Sequence, residues 1–258
     1  MKPSGTTPFT IVGSGFCIDP SGVIVTCEHV ISEFLSKSIK DQVAGIPDDK
    51  TIRQLPEVEI RRPFALFYMR GDTATELLVV ACPIDQIVVR TDHDLGLIRA
   101  APHKRFEGGF PFIEVANYGD LYEGLEIGTY GFPLGTFLYD QIGTLTSSLT
   151  RGTLSSIVPT DFASEEHVKL FQLDLTATYG NSGGPVFCIG SGRAFGVLQG
   201  GIVGADGTSI IPGIVKAEPI YPIIRGGEID FLRSAPLGSL PSAETIQAHF
   251  KPPPRTGP

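Results

Sequence analysis

Apolar residues in this chain come in short runs, each stopped by glycine, proline or a polar turn, and that punctuation leaves little room for long helices. FTIVGSGFCID, VIVTCEHVI, FALFYM (64–69), TELLVVACPI (75–84), QIVVR (86–90), VKLFQLDL (168–175), PVFCI and AFGVLQGGIV have the length and alternation of strands. The 31 glycines and 21 prolines supply the turns that join them. A proline-glycine turn between the first two runs predicts a hairpin. At 258 residues the chain can form one large all-β unit or two small barrels. Helical spacing is weak: Ile31, Phe34 and Leu35 predict a short helix after His29, and residues 218–232 a second weak one.

Thr176 to Phe187, TATYGNSGGPVF, is the stretch around which the rest is organised. A serine between glycines at the start of an apolar run can stand on a tight turn, hydroxyl exposed and neighbouring amides turned to a common point. That suits a nucleophile. A plain glycine-rich turn between strands is the alternative, and the order of His29, Asp94 and Ser182 along the chain argues against it.

Composition removes several functions. A net charge of −8 and the lack of a basic stripe speak against nucleic acid. No window approaches a membrane span, and MKPSGTTPFTIVGSG has no apolar core long enough for a signal peptide. Cys17, Cys27, Cys82 and Cys188 are well separated and mostly within apolar runs, which predicts reduced core residues rather than disulfides or a metal site. The expected compartment is the cytoplasm, or the periplasm or exterior if a leader was removed. HExxH and paired-cysteine spacings are missing, so zinc hydrolysis is not expected, and GSGF lacks the lysine of a phosphate loop. No cofactor is expected.

Taken together, GSGFCIDPSGVIVTCEHVI, DLGLIRA, LEIGTYGFPLG, LTRGTLSS, LDLTATYGNSGGPVF and GVLQGGI resemble chymotrypsin-like serine proteases. They are most similar to the high-temperature-requirement (Deg) type and its stand-alone bacterial trypsin-like relatives. The motifs keep the family's order over roughly residues 9 to 220. The resemblance implies two antiparallel six-stranded β-barrels with the active site in the cleft between them. On that plan residues 1–8 are a lead-in, 9–105 the first barrel with His29 and Asp94, 106–233 the second with Ser182, and 234–258 a proline-rich tail. The segment between His29 and Asp94 is longer than the family's core requires, and no peptide-recognition domain is visible after residue 235.

The resemblance implies His29 as general base, Asp94 as its orienting partner and Ser182 as nucleophile of a serine endopeptidase acting through an acyl-enzyme. Asp92 lies two residues earlier on the same face of an extended strand and is the rival acid. His93 is read as surface or interface, and His103, His167 and His249 as uninvolved. The N–H groups of Gly180 and Ser182 form the implied oxyanion hole. Asn181 stands where trypsin-like zymogens carry an aspartate, so N-terminal cleavage at Ile11 is not expected. By resemblance Thr176 and Ala177 lie at the base of the primary pocket, Gln199, Gly200 and Gly201 form the edge that pairs with substrate backbone, and Gly213 lies on the wall. Without an acid at 176, cleavage after a neutral, mostly apolar residue is expected. The expected partners are a protein or peptide substrate and a possible regulatory activator. The runner-up function is a partner-regulated or inactive binding protein on the same fold.

Overall fold

The computed structural model describes residues 11–33, 64–70, 77–90, 92–142, 145–159, 164–202 and 213–236. The lead-in before residue 9, the loop expected at 39–57 and nearly all of the proline-rich tail lie outside them.

Two antiparallel sheets make the molecule. The first holds β1 (Phe16–Asp19), β2 (Val23–Cys27), β3 (Phe64–Arg70), β4 (Leu77–Arg90) and β5 (Leu95–Ala100) in the order β1-β2-β5-β4-β3. The second is a closed barrel of β6 (Glu126–Gly131), β7 (Ser148–Val158), β8 (Leu170–Asp174), β9 (Pro185–Cys188), β10 (Ala194–Gly201) and β11 (Ile214–Pro219), ordered β10-β11-β8-β7-β6-β9. The expected all-β fold with two antiparallel units stands, but the first unit, expected as a six-stranded barrel, has five strands among the described residues and is open.

β2 reads as a continuous apolar run because both of its faces are covered. Val23, Val25 and Cys27 pack outward with Leu95 and Leu97 against Val197 of the second barrel, while Ile24 turns inward to Cys17, Cys82 and Ile98. The second barrel's interior is filled by Tyr118, Phe171 and Phe195, stacked edge to face at centroid distances of 5.5 and 5.0 Å. All four cysteines are free and buried.

Three elements differ from the sequence reading. Residues 77–90 form one strand, not two. Its first half pairs with β3 as far as Pro83 and its second half with β5 from Ile84, with an irregularity between Ile84 and Gln86. Proline lacks the N–H that a continuous ladder needs, so it stands at the change of partner. The Gly-Phe-Pro-Leu-Gly turn leads into helix α2 (Gly135–Ile142), which was not foreseen. The weak helical segment resolves into α3 (Tyr221–Arg225) and α4 (Glu228–Ser234), while Glu218 belongs to β11. The end of α4 is moored to the first sheet by the buried Arg99, which is paired with Asp85 at 2.9 Å and donates to the carbonyl of Ala235 at 2.8 Å.

Candidate active site

Strand register brings His29 and Asp94 together. Cys27, the last residue of β2, pairs with Leu95, the first of β5, so the segments beyond both strands leave the sheet at the same edge. Helix α1 (residues 28–33) begins there and carries His29 in its first turn. Asp94 adopts φ +44°, a left-handed conformation that aspartate tolerates better than most residues. Its backbone carbonyl accepts from Glu28 N–H at 3.1 Å and its Oδ1 from His29 N–H at 3.0 Å. These bonds satisfy helix-start amides that have no partner within α1.

The same carboxylate lies 3.0 and 2.8 Å from His29 Nδ1. A carboxylate only accepts, so the proton sits on Nδ1 and leaves Nε2 as the acceptor of the neutral ring. The Asp94 bond holds the imidazole above its ordinary pKa of 6.5, against partial burial, which pulls it down. Asp92 is not the partner: it faces Arg90, with both nitrogen–oxygen distances at 3.2 Å. His93 points to Glu218 at 3.0 Å and, with the Arg90–Glu228 pair at 2.7 Å, links the first sheet to the β11–α4 region. His103 accepts from Arg105 N–H, and His167 bonds Ser164.

Gln199 is expected on a substrate-binding edge, and its side chain also has a role at Asp94. It is 7% exposed, and its Nε2 donates to Asp94 Oδ2 at 3.1 Å, so Asp94 is held from both barrels. The contact links residues 105 apart in sequence, and no local motif signals it.

Ser182 stands on the loop between β8 and β9. This loop is hooked to β10 by Gly183 N–H to the Leu198 carbonyl at 2.8 Å and Leu198 N–H to the Gly184 carbonyl at 2.9 Å. Ser182 Oγ donates to the Gln199 carbonyl at 2.8 Å, and among the described residues no hydrogen bond joins it to His29. Gly180 has φ +96°, and a Cβ there would stand 2.5 Å from the Phe132 carbonyl oxygen, so only glycine fits. Among the described residues the N–H groups of Gly180 and Ser182 donate to no other group.

The residues expected to form the primary pocket gather at one end of the second barrel. Gly201 pairs with Val215 and Ile214 with Asp174, which sets Gly213 and the exposed Thr176 beside the end of β10. Ala177 is half-buried behind them. Among the described residues, no atom lies within 4 Å of a Cβ built on Gly200, Gly201 or Gly213.

Donor atoms of Cys27, His29 and Asp94 lie within 4.8 Å of one another, a grouping that invites a metal. The chemistry does not favour one. Burial pushes the Cys27 thiol well above its ordinary pKa and so disfavours the thiolate a metal needs, and the thiol donates to the Leu198 carbonyl. His29 Nδ1 and the Asp94 carboxylate are spent on each other.

No helix among the described residues is long and apolar enough to cross a membrane. Residues 13–197 match the trypsin-like peptidase domain. Among solved structures, the HtrA-type protease AlgW with a decapeptide is similar at 15% identity and a TM-score of 0.50, over 85% of this chain and 52% of that one. A variant of AlgW, also with a decapeptide, is similar at 14% identity and a TM-score of 0.50, over 85% and 51%. The chain thus spans about half the length of those structures, and the likeness bears on fold. No curated protein sequence matches it. A family match that runs from the residues before β1 into β10, and takes in all of 29, 94 and 182, puts this chain in the trypsin-like peptidase family, as a serine-type peptidase.

Proposed function

We propose that the chain is a serine endopeptidase whose triad is His29, Asp94 and Ser182. Ser182 Oγ attacks a peptide carbonyl as His29 Nε2 takes its proton. His29 then protonates the leaving amine, and water releases the acyl group by the same route. Asp94 keeps the proton on Nδ1 and stabilises the imidazolium as it forms. The negative charge on the carbonyl oxygen falls to the N–H groups of Gly180 and Ser182. The observation that carries the reading is the pairing of an oriented His29 with a serine loop whose two amides are unspent among the described residues.

In the resting geometry Ser182 Oγ points to the Gln199 carbonyl, so a turn about its Cα–Cβ bond precedes attack. That observation favours a second reading, in which a partner or signal releases the serine. Cleavage of the N-terminal segment is not required: Asn181 carries no charge to pair with a new amine, and its side chain is buried. The test is intact-mass analysis after exposure to a fluorophosphonate, with Ser182→Ala as control. The untrimmed protein should gain one adduct that the variant lacks. Well-folded protein that gains none unless a partner is added would favour the second reading, and labelling only after trimming to Ile11 would reject the first.

The space that the described residues leave at Gly200, Gly201 and Gly213, with an uncharged Thr176, fits a sizeable neutral side chain before the scissile bond. Matched peptides with Leu or Phe before the scissile bond should be cleaved at least about tenfold faster than one with Arg there, the discrimination a shaped apolar pocket supplies. Dominant cleavage after Arg would reject this.

A further inference from the structure

Ser14 lies two residues before β1, 6% exposed, and touches the serine loop at two points. Its Oγ donates to the Gly180 carbonyl at 2.7 Å and accepts from Phe132 N–H at 3.1 Å. Its backbone N–H donates to the Ser182 carbonyl at 2.8 Å. Its own carbonyl is fixed in turn by the Thr26 hydroxyl at 2.7 Å, one strand over.

We infer that Ser14 is a positioning residue for the oxyanion hole, holding the serine loop with its Gly180 and Ser182 amides turned toward the cleft. The inference rests on the endopeptidase reading above. A loop with Gly180 at φ +96° and Gly183 at φ +85° has little intrinsic preference for the conformation shown and must be held from outside. Ser14 supplies that hold from the first sheet, through carbonyls on both sides of Asn181. With both carbonyls pinned to Ser14, the peptide planes between them cannot rotate freely. The Phe132 bond adds a third segment, whose Leu134 N–H reaches back to the Tyr179 carbonyl at 2.8 Å.

The approach is close. A Cβ on Gly183 would stand 2.1 Å from the Ser14 carbonyl oxygen, and one on Gly13 would stand 2.7 Å from a Val30 methyl. One hydroxyl that both donates and accepts is what the position needs. Alanine there would leave the Gly180 carbonyl and the Phe132 N–H without their partner.

The experiment compares wild type, Ser14→Ala and Tyr118→Phe, the last removing a buried hydroxyl bonded to the Phe195 carbonyl at 2.7 Å in the second barrel's core. Ser14→Ala should lower kcat roughly ten- to a hundredfold with KM nearly unchanged, the scale for stranding buried polar groups on a positioning loop. Tyr118→Phe should lower Tm with kcat intact. Independently of any activity, amide hydrogen exchange at residues 180–184 should speed up in Ser14→Ala and not in Tyr118→Phe. Unchanged exchange in Ser14→Ala, or an equal kcat loss in both variants, would overturn the proposal. If wild type takes up no fluorophosphonate and cleaves nothing, the endopeptidase reading fails, and the exchange comparison still decides whether Ser14 holds the loop.

Discussion

Ser182→Ala is expected to lower kcat by about 10⁶-fold, the loss seen when the nucleophile of a triad is removed. The fold should survive, and so should some acceleration over water, because the Gly180 and Ser182 amides remain. Substrate affinity should be largely kept, since the hydroxyl is not part of the pocket proposed around Gly201 and Gly213. Stability should fall slightly rather than rise. The hydroxyl donates to the Gln199 carbonyl at 2.8 Å, and that acceptor is left without it. Such a loss costs about 1 kcal/mol, or roughly 2–4 °C in Tm for a protein of this size. Peptide hydrolysis and a thermal melt on the same preparation check both halves. A variant that keeps more than about one per cent of wild-type kcat would remove Ser182 from the nucleophile's role, because no other group of a triad replaces the attacking oxygen.

Much of the site could be read before the fold because each of its three residues carries its context within a few neighbours. TCEHVI ends a strand at His29, DLGLI begins one after Asp94, and GNSGGP places Ser182 among glycines. The meeting of His29 and Asp94 follows from a register in which Cys27 opposes Leu95, which two apolar runs of similar length make natural but do not state. What stayed hidden acts over long separations. The Gln199 amide reaches Asp94 across 105 residues and the Ser14 hydroxyl reaches Gly180 across 166, and neither side chain differs in its local pattern from an ordinary polar residue in a strand or turn. The strand over 77–90 was hidden for a different reason. Pro83 reads as a break, yet it is where the chain changes partners from β3 to β5 without ending. Helix α2 was masked by the turn that precedes it, since the glycines and proline at 131–135 end the strand pattern before the short apolar sequence behind them can be weighed.

Asp94→Asn should lower kcat/KM by about 10⁴-fold at neutral pH while leaving the protein folded. Three donors converge on the carboxylate: His29 N–H, His29 Nδ1–H and the Gln199 amide. An asparagine has one acceptor oxygen for three donors. If that oxygen keeps the His29 backbone N–H, its NH₂ group faces Nδ1 and forces the ring to the tautomer with the proton on Nε2, which cannot take one from Ser182. The fold tolerates the change because the Gln199 Oε1 has no partner among the described residues, so the amide can turn over and accept from the new NH₂ at little cost. The pH dependence separates this account from a general loosening of the site. In the wild type the Asp94 bond raises the His29 pKa above 6.5, so the acid limb of kcat/KM, where the base becomes protonated, lies above that value. In Asp94→Asn the limb should move down toward the ordinary imidazole range. Stability should shift in the matching sense. A raised folded-state pKa contributes stability that is fully present below about 6.5 and is lost as pH rises through the folded value. The variant should therefore lose more Tm at pH 5.5 than at pH 9. A limb that stays where it is in the wild type, or a Tm loss larger at pH 9 than at pH 5.5, would show that the His29 proton is not held by Asp94.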